Sequence, residues 1–280
     1  MTFSIVARDP VTGELGVAVT TCVLAVGAVC PGVRPGVGAV STQAHARWAY
    51  RPEVLDRLAA GEAAPAALAA AVAADAGREE RQVGVVDAAG GAAAWTGRGC
   101  VPWAGHRSGD GWTVQGNLLT GPEVVEAVAA AYTGHPGPLP RRLLAALQAG
   151  QARGGDLRGT QSAALLVLSP PEDPADTEAV LRGVDLRVDD AADPLRELDR
   201  LLGLHEAYVA GDHAALARQG PAGERELHAA LAALAAGDLG TAADRLASLR
   251  ARPGWEAWLD RLAGRDGEPL VRRLVALAER

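Results

Sequence analysis

The chain has 280 residues, 49% of them hydrophobic, a formal net charge of −7 and three cysteines. That length suits one large domain plus a smaller one, and the acidic balance argues against nonspecific nucleic-acid binding, which needs a basic face. Cys22, Cys30 and Cys100 are too few and too scattered for a disulfide framework or a CxxC metal knuckle. No apolar run is long enough to span a membrane and no signal-peptide pattern opens the chain, so a cytoplasmic protein is expected. Every basic residue is arginine. No lysine can therefore act as base, Schiff-base former or phosphate clamp.

Residues 2–8 and 14–21 are rich in alternating or β-branched apolar residues, and PVTG between them predicts a hairpin turn. GVGAVSTQ (36–43) predicts another strand. From Arg51 to Ala74 the spacing of Val54, Leu55, Leu58, Leu68 and Val72 is helical. Residues 81–97 read as strand, Asp-centred turn, strand, and 111–119 as a further strand. GPEVVEAVAAAY (121–132) opens a helix with Pro and Glu in its first turn, and LPRRLLAALQAG is another. QSAALLVLS (161–169) and VDLRVDD (184–190) complete the strands. From Asp193 onward only amphipathic helices separated by Gly and Pro remain. The expected class is α+β, with a layered domain over 1–195 and a small all-α domain over 196–280.

Thr2 heads the first strand behind a methionine that small second residues normally allow to be removed. A threonine left at the terminus carries both a hydroxyl nucleophile and an α-amine base, whose pKa is about 7.7–8.0. Asn117, the sole asparagine, sits at the strand-to-helix corner QGN. There it either donates to an oxyanion or substrate, or is a corner residue in the left-handed region, which asparagine tolerates. Gln43 and His45, in STQAHARW, end a strand and line the same cleft, the alternative for His45 being an exposed loop. Cys100 and His106 form a conceivable nucleophile pair only if the fold brings them together. No metal or cofactor is expected: the histidines lack ligand spacing, GxxxxGK[ST] is absent, and Asp185, Asp189, Asp190 and Asp193 read best as a solvated strand end.

RGGDLRGTQSAALLVLSP places an Asp and a Ser ahead of a hydrophobic strand, and VQGNLLTGPEVVEA forms a Gly-containing strand-to-helix corner. Together with MTFSIVARDPVTGELGVAV, LAVGAV, GVGAVSTQA, RQVGVVDAAG and WAGH, these segments resemble the DUF1028 proteins of the N-terminal-nucleophile (Ntn) hydrolase-like superfamily. The resemblance covers residues 2–190 and implies the four-layer αββα sandwich. It places Thr2 at the nucleophile position and Asp156 and Ser162 at the supporting positions near the amine. Thr21, Gln43, His45, Gln115, Arg158 and Gln161 then become the candidate substrate-binding residues. Two departures stand out. Thr20 and Thr21 occupy the place where proteasome-type enzymes carry an acidic residue, and the lysine those enzymes use is missing. Arg8, Arg34 or Arg158 offers positive charge, but arginine does not give up its proton.

The resemblance also implies a C-terminal extension described in this family as peptidoglycan-binding. Residues after about 200 read as helical hairpins around an AGD turn, with Trp255 and Trp258 on one helical face as either a sugar-stacking pair or core anchors of a small helical domain. Two functions are expected from these features. The first is an amidohydrolase that cleaves a small amide or peptide-like bond through Thr2 after Met1 removal. The second is a catalytically silent Ntn-like scaffold that binds a ligand or partner, cell-wall glycan included, through the cleft or the tail. A homodimer is the default assembly for such a sandwich.

Overall fold

The computed structural model describes residues 2–170, 183–264 and 269–279. The chain divides into two compact units, Met1–Leu202 and Gly203–Arg280. The sequence places the boundary near residue 195; the division falls a few residues further on, inside a helix.

The first unit opens on the hairpin of β1 (Thr2–Arg8) and β2 (Leu15–Thr21). Asp9 closes its turn: the carboxylate accepts the N–H groups of Val11 and Thr12 at 2.8 and 3.0 Å. Gly13 supplies the positive φ of 75° that the turn requires. The short α1 (Val26–Val29) and β3 (Pro31–Arg34) precede β4 (Gly38–Ala44). Next come α2 (Tyr50–Ala59) and α3 (Ala64–Ala73), which the sequence pattern merges into one helix. Gly61, at φ 92°, and Pro65 at the start of α3 separate them.

After α3 come β5 (Arg81–Asp87), β6 (Ala92–Thr96), β7 (Gly105–Gly109) and β8 (Trp112–Asn117). Helices α4 (Glu123–Gly134) and α5 (Leu139–Gln151), strands β9 (Ser162–Leu168) and β10 (Val184–Val188), and helix α6 (Pro194–Ala210) follow. The strands form two antiparallel sheets, in the orders β10-β9-β2-β1-β8-β7 and β3-β4-β5-β6.

Alternation along β1 decides what each face meets. Phe3 and Ile5 pack with Val124, Val128, Leu143 and Leu147 of α4 and α5. Val6, with Val17 of β2, faces Ala39 and Val86 of the other sheet. On that sheet's far side Val83 and Val85 pack with Tyr50, Val54 and Leu68 of α2 and α3. The helix pairs thus cover the outer faces and the two sheets share an interior.

Phe3, the only phenylalanine in the chain, is fully buried. Gly150 of α5 passes so close to it that a Cβ there would lie 2.9 Å from the ring. Phe3→Ala is expected to cost about 3–5 kcal/mol in denaturant unfolding, and Gly150→Ala to destabilise by overpacking the same contact.

Two carboxylates, buried Asp9 and the partly buried Asp75, make this unit acid-sensitive. Burial alone would push Asp9 and Asp75 up. For Asp9 the N–H groups of Thr12 and Val11 and the Arg142 guanidinium outweigh burial. For Asp75 the Gly77 N–H, Arg81 and the Tyr50 hydroxyl do so. Both are held below the ordinary value of 3.8. Depressed folded values contribute stability that is present above the unfolded value and lost as pH falls through the folded one. The unfolding midpoint should therefore drop steeply below about pH 4, and an acid titration of Asp75→Asn should show a shallower drop.

The second unit holds the end of α6 with α7 (His213–Leu216), α8 (Ala222–Ala235), α9 (Leu239–Arg250), α10 (Trp255–Leu262) and α11 (Pro269–Val275). Leu227, Leu231, Leu246, Leu259 and Leu274 form its core. Two AGD turns punctuate it: Gly211 and Gly237 take positive φ. Asp212 and Asp238 then cap the following helices by accepting the Ala215 and Thr241 N–H groups. Among the described residues no helix is long and apolar enough to cross a membrane.

Candidate active site

Antiparallel order brings alternate strand ends together. The start of β1 pairs Thr2 with Asn117 at the end of β8, and the end of β2 pairs Thr21 with Ser162 at the start of β9. On the facing sheet, Gln43 near the end of β4 pairs with Gln82 near the start of β5. All six side chains are at least nine-tenths buried. They share one end of the interior that Val6 and Val17 fill with apolar side chains further along.

The polar side chains satisfy one another. Thr2 Oγ1 lies 3.2 Å from Thr21 Oγ1. The Thr2 carbonyl accepts from Gln43 Nε2 at 3.1 Å and from Asn117 Nδ2 at 3.4 Å. Ser4 donates to Gln43 Oε1 at 2.6 Å and accepts from Gln115 Nε2 at 2.6 Å. Every member of this group is neutral, so it holds shape without the desolvation cost of a buried ion pair. Gly84 leaves the space for Gln115: a Cβ at that position would overlap the Gln115 amide. Gly84→Ala should therefore disturb the network as well as the packing.

Asp156 brings the charge. Its carboxylate is fully buried and accepts the Cys22 N–H at 3.0 Å and the Arg158 N–H at 2.8 Å. The half-exposed Arg158 guanidinium lies 3.4 Å away. Asp156 thus ties the loop before β9 to the residue directly after Thr21. Ser162 has a different attachment. Its hydroxyl donates to the Val23 carbonyl at 2.5 Å and accepts the Val26 N–H at 3.1 Å, fixing the loop that leads into α1.

Gln161 joins through its backbone, donating to the Thr21 carbonyl at 2.8 Å, while its side-chain amide reaches Asp190 at 3.1 Å. His45 does not join the group: its side chain is 79% exposed and lies 3.9 Å from Glu80. Asn117 takes part differently from an oxyanion donor, because its amide nitrogen is committed to the Thr2 carbonyl and to Gln82 Oε1 at 2.9 Å. Its corner position is not in the left-handed region; the next residue, Leu118, is, at φ 54°. Among the described residues the other non-glycine positions with positive φ are Ala44, which ends β4, and Ala25, which precedes α1.

Cys100 and His106 are not paired with each other. Cys100 donates to the Arg81 carbonyl at 3.3 Å, and His106 Nδ1 meets Thr96 Oγ1 at 2.9 Å. Among the described residues no group of three or more His, Cys, Asp or Glu side chains is arranged to hold a metal ion. In the acidic run, Asp185 pairs with Arg187 and Asp193 caps the start of α6. An apolar groove of about 460 Å³ opens between α3 and β6, lined by Leu68, Val72 and Trp95, and includes none of the Thr2 group.

The thiols report on the same packing. Burial pushes the Cys30 thiol up to about 12 and raises that of Cys100, whereas Cys22, at the edge of the Thr2 group, is only partly buried. Iodoacetamide at neutral pH should alkylate Cys22 first; equal alkylation of Cys30 in the folded protein would contradict this arrangement.

No curated protein matches the chain. The crystal structure of protein SPO2555 from Silicibacter pomeroyi, assigned to DUF1028, superposes with a TM-score of 0.65 at 33% identity. The match covers 74% of this chain and 88% of that one. The sequence model of DUF1028, a family of unknown function, matches residues 2–198, from the start of β1 into α6. The chain belongs to the DUF1028 family.

Proposed function

We propose that the protein is an Ntn-type amidohydrolase built on the four-layer αββα sandwich, with Thr2 as nucleophile once Met1 is removed. The observation that carries the reading is the placement of Thr2: first residue of β1, buried between the sheets, its Oγ1 3.2 Å from Thr21 Oγ1. The buried Asp156 carboxylate holds the N–H of Cys22, the residue after Thr21, at 3.0 Å. In this mechanism Thr2 Oγ attacks the substrate carbonyl carbon and its proton passes to the α-amine, directly or through Thr21. The amine then protonates the departing nitrogen as the C–N bond breaks. A threonyl ester remains, and water, deprotonated by the same amine, hydrolyses it.

With no lysine in the chain, this proton traffic falls on the α-amine, beside the loop that Asp156 ties to Cys22. Small N-acyl amides or short peptides are the substrate class. A hydroxyl-reactive β-lactone tests the reading: Thr2 Oγ opens the ring at its carbonyl, the ring oxygen takes the proton, and the full lactone mass stays on the protein. Peptide mapping should place the adduct on Thr2. An adduct elsewhere, or none, would exclude the nucleophile.

A second reading has its own support. The Ser162 hydroxyl and the Asn117 amide are committed to backbone and network partners, which suits a silent scaffold that binds a ligand. In the tail, Trp255 and Trp258 meet edge to face at 4.8 Å beside a groove of about 370 Å³, the kind of surface on which a cell-wall sugar stacks. Under this reading Thr2→Ala keeps full affinity for the ligand.

A further inference from the structure

The amide that organises the Thr2 end is Gln82, which the sequence pattern does not single out. Its orientation is settled by backbone. Nε2 faces the Gly116 carbonyl at 2.8 Å and the Gly105 carbonyl at 3.1 Å, together with Thr96 Oγ1 at 2.9 Å. Carbonyl oxygens only accept, so turning the amide over would set oxygen against oxygen. Gln82 Oε1 must therefore face the other way, where it accepts from Gln43 Nε2 at 2.8 Å and Asn117 Nδ2 at 2.9 Å. Both neighbours thus turn their N–H groups toward Gln82, and each also donates to the Thr2 carbonyl, Gln43 Nε2 meeting the Gln115 carbonyl at 3.2 Å as well. The order of control runs from two sheet carbonyls, through one glutamine, through two amides, to the residue that heads β1.

Resting on the reading of Thr2 as nucleophile, we propose that Gln82 is the positioning residue of the site. It touches neither Thr2 Oγ1 nor any reacting atom. It orients the two donors that hold the Thr2 carbonyl, and so sets where the hydroxyl and the amine on the adjoining Cα point. A misplacement of about 1 Å at such a centre costs on the order of 10²-fold in rate. Gln82→Met keeps the length and removes all the hydrogen bonds. Gln82→Glu keeps the shape but sets a carboxylate oxygen against the Gly105 and Gly116 carbonyls.

The test is the saturation kinetics of β-lactone labelling on the full chain, followed by intact mass, with thermal unfolding measured alongside. In both variants the maximal inactivation rate should fall about 10- to 100-fold. The half-saturating lactone concentration should change less than about two-fold, because Gln82 is not part of the binding surface. Should neither variant fold, Gln43→Met, which removes one of the two donors to the Thr2 carbonyl, carries the test with the same expected split. Wild-type protein that labels at Thr2 while the folded variants label at the wild-type maximal rate overturns the role of Gln82 alone. Wild-type protein that does not label at all overturns the Thr2 reading, and this inference with it.

Discussion

Thr2→Ala is expected to lower amide hydrolysis by roughly 10⁴-fold or more, the range seen when a nucleophile is removed from a working constellation. The fold should survive. The hydroxyl meets Thr21 Oγ1 in a neutral hydrogen bond, and losing such a bond costs about 1 kcal/mol. The β1 carbonyl contacts from Gln43 and Asn117 belong to the backbone and persist in the variant. Thr2→Ser should retain measurable turnover, since it keeps hydroxyl and amine together and loses only the methyl group that limits rotation about χ1. The measurement is amine release from a panel of N-acyl amino acids and short-peptide amides. If the alanine variant hydrolyses any of these at the wild-type rate, Thr2 is not the nucleophile.

Asp156→Ala should be strongly destabilising to the first unit. A fully buried carboxylate that accepts two backbone N–H groups and faces a guanidinium cannot be removed without stranding the donors. The Cys22 and Arg158 N–H groups would each lose a charge-assisted partner. The expected loss is about 3 kcal/mol, or roughly 6–12 °C in melting temperature for a domain of this size. Asp156→Asn preserves volume but turns an amide nitrogen toward one of the two N–H groups, so it should recover only part of that loss. Activity should fall in both variants, because the loop that Asp156 ties to Cys22 closes the Thr2 end. A melting temperature within a degree or two of wild type would show that the carboxylate is not the tie described.

Much of the fold is legible in the sequence because its signals are local. The hairpin shows in alternation around PVTG, and the observed strands Thr2–Arg8 and Leu15–Thr21 follow that pattern. The strand beginning at Ser162 and the helices near 123 and 139 likewise start where caps, prolines and apolar runs place them. Pro31–Arg34 and Gly105–Gly109 carry no such pattern: the first is short and opens with proline, the second is GHRSG, mostly exposed. Both lie at sheet edges, where position is set by the neighbouring strand more than by intrinsic preference.

The site is legible only in part, for a related reason. Ser4, Gln43, Gln82, Thr113 and Gln115 occupy alternate positions in their strands, which normally marks a solvent face. Here the alternate face is the shared interior of two sheets, and these side chains are buried because they bond one another. A single strand cannot show that its polar face meets another polar face. Gln82 is the clearest case: RQVGVVD reads as a polar start to an apolar strand, yet its amide links both sheets. The register offers one usable signal, since Gln43 and Gln82 stand opposite each other near the ends of their strands. His45 shows the converse. It is close in sequence to Gln43, but Ala44 at φ 65° turns the chain, and the imidazole lies exposed.

The most direct test of the central claim is the intact mass of the protein expressed from its own start codon, with no added residues. The expected mass is short by one methionine, leaving the Thr2 amine free beside its hydroxyl. A mass that retains Met1 would contradict it, because the base that the mechanism requires would then be part of an amide bond.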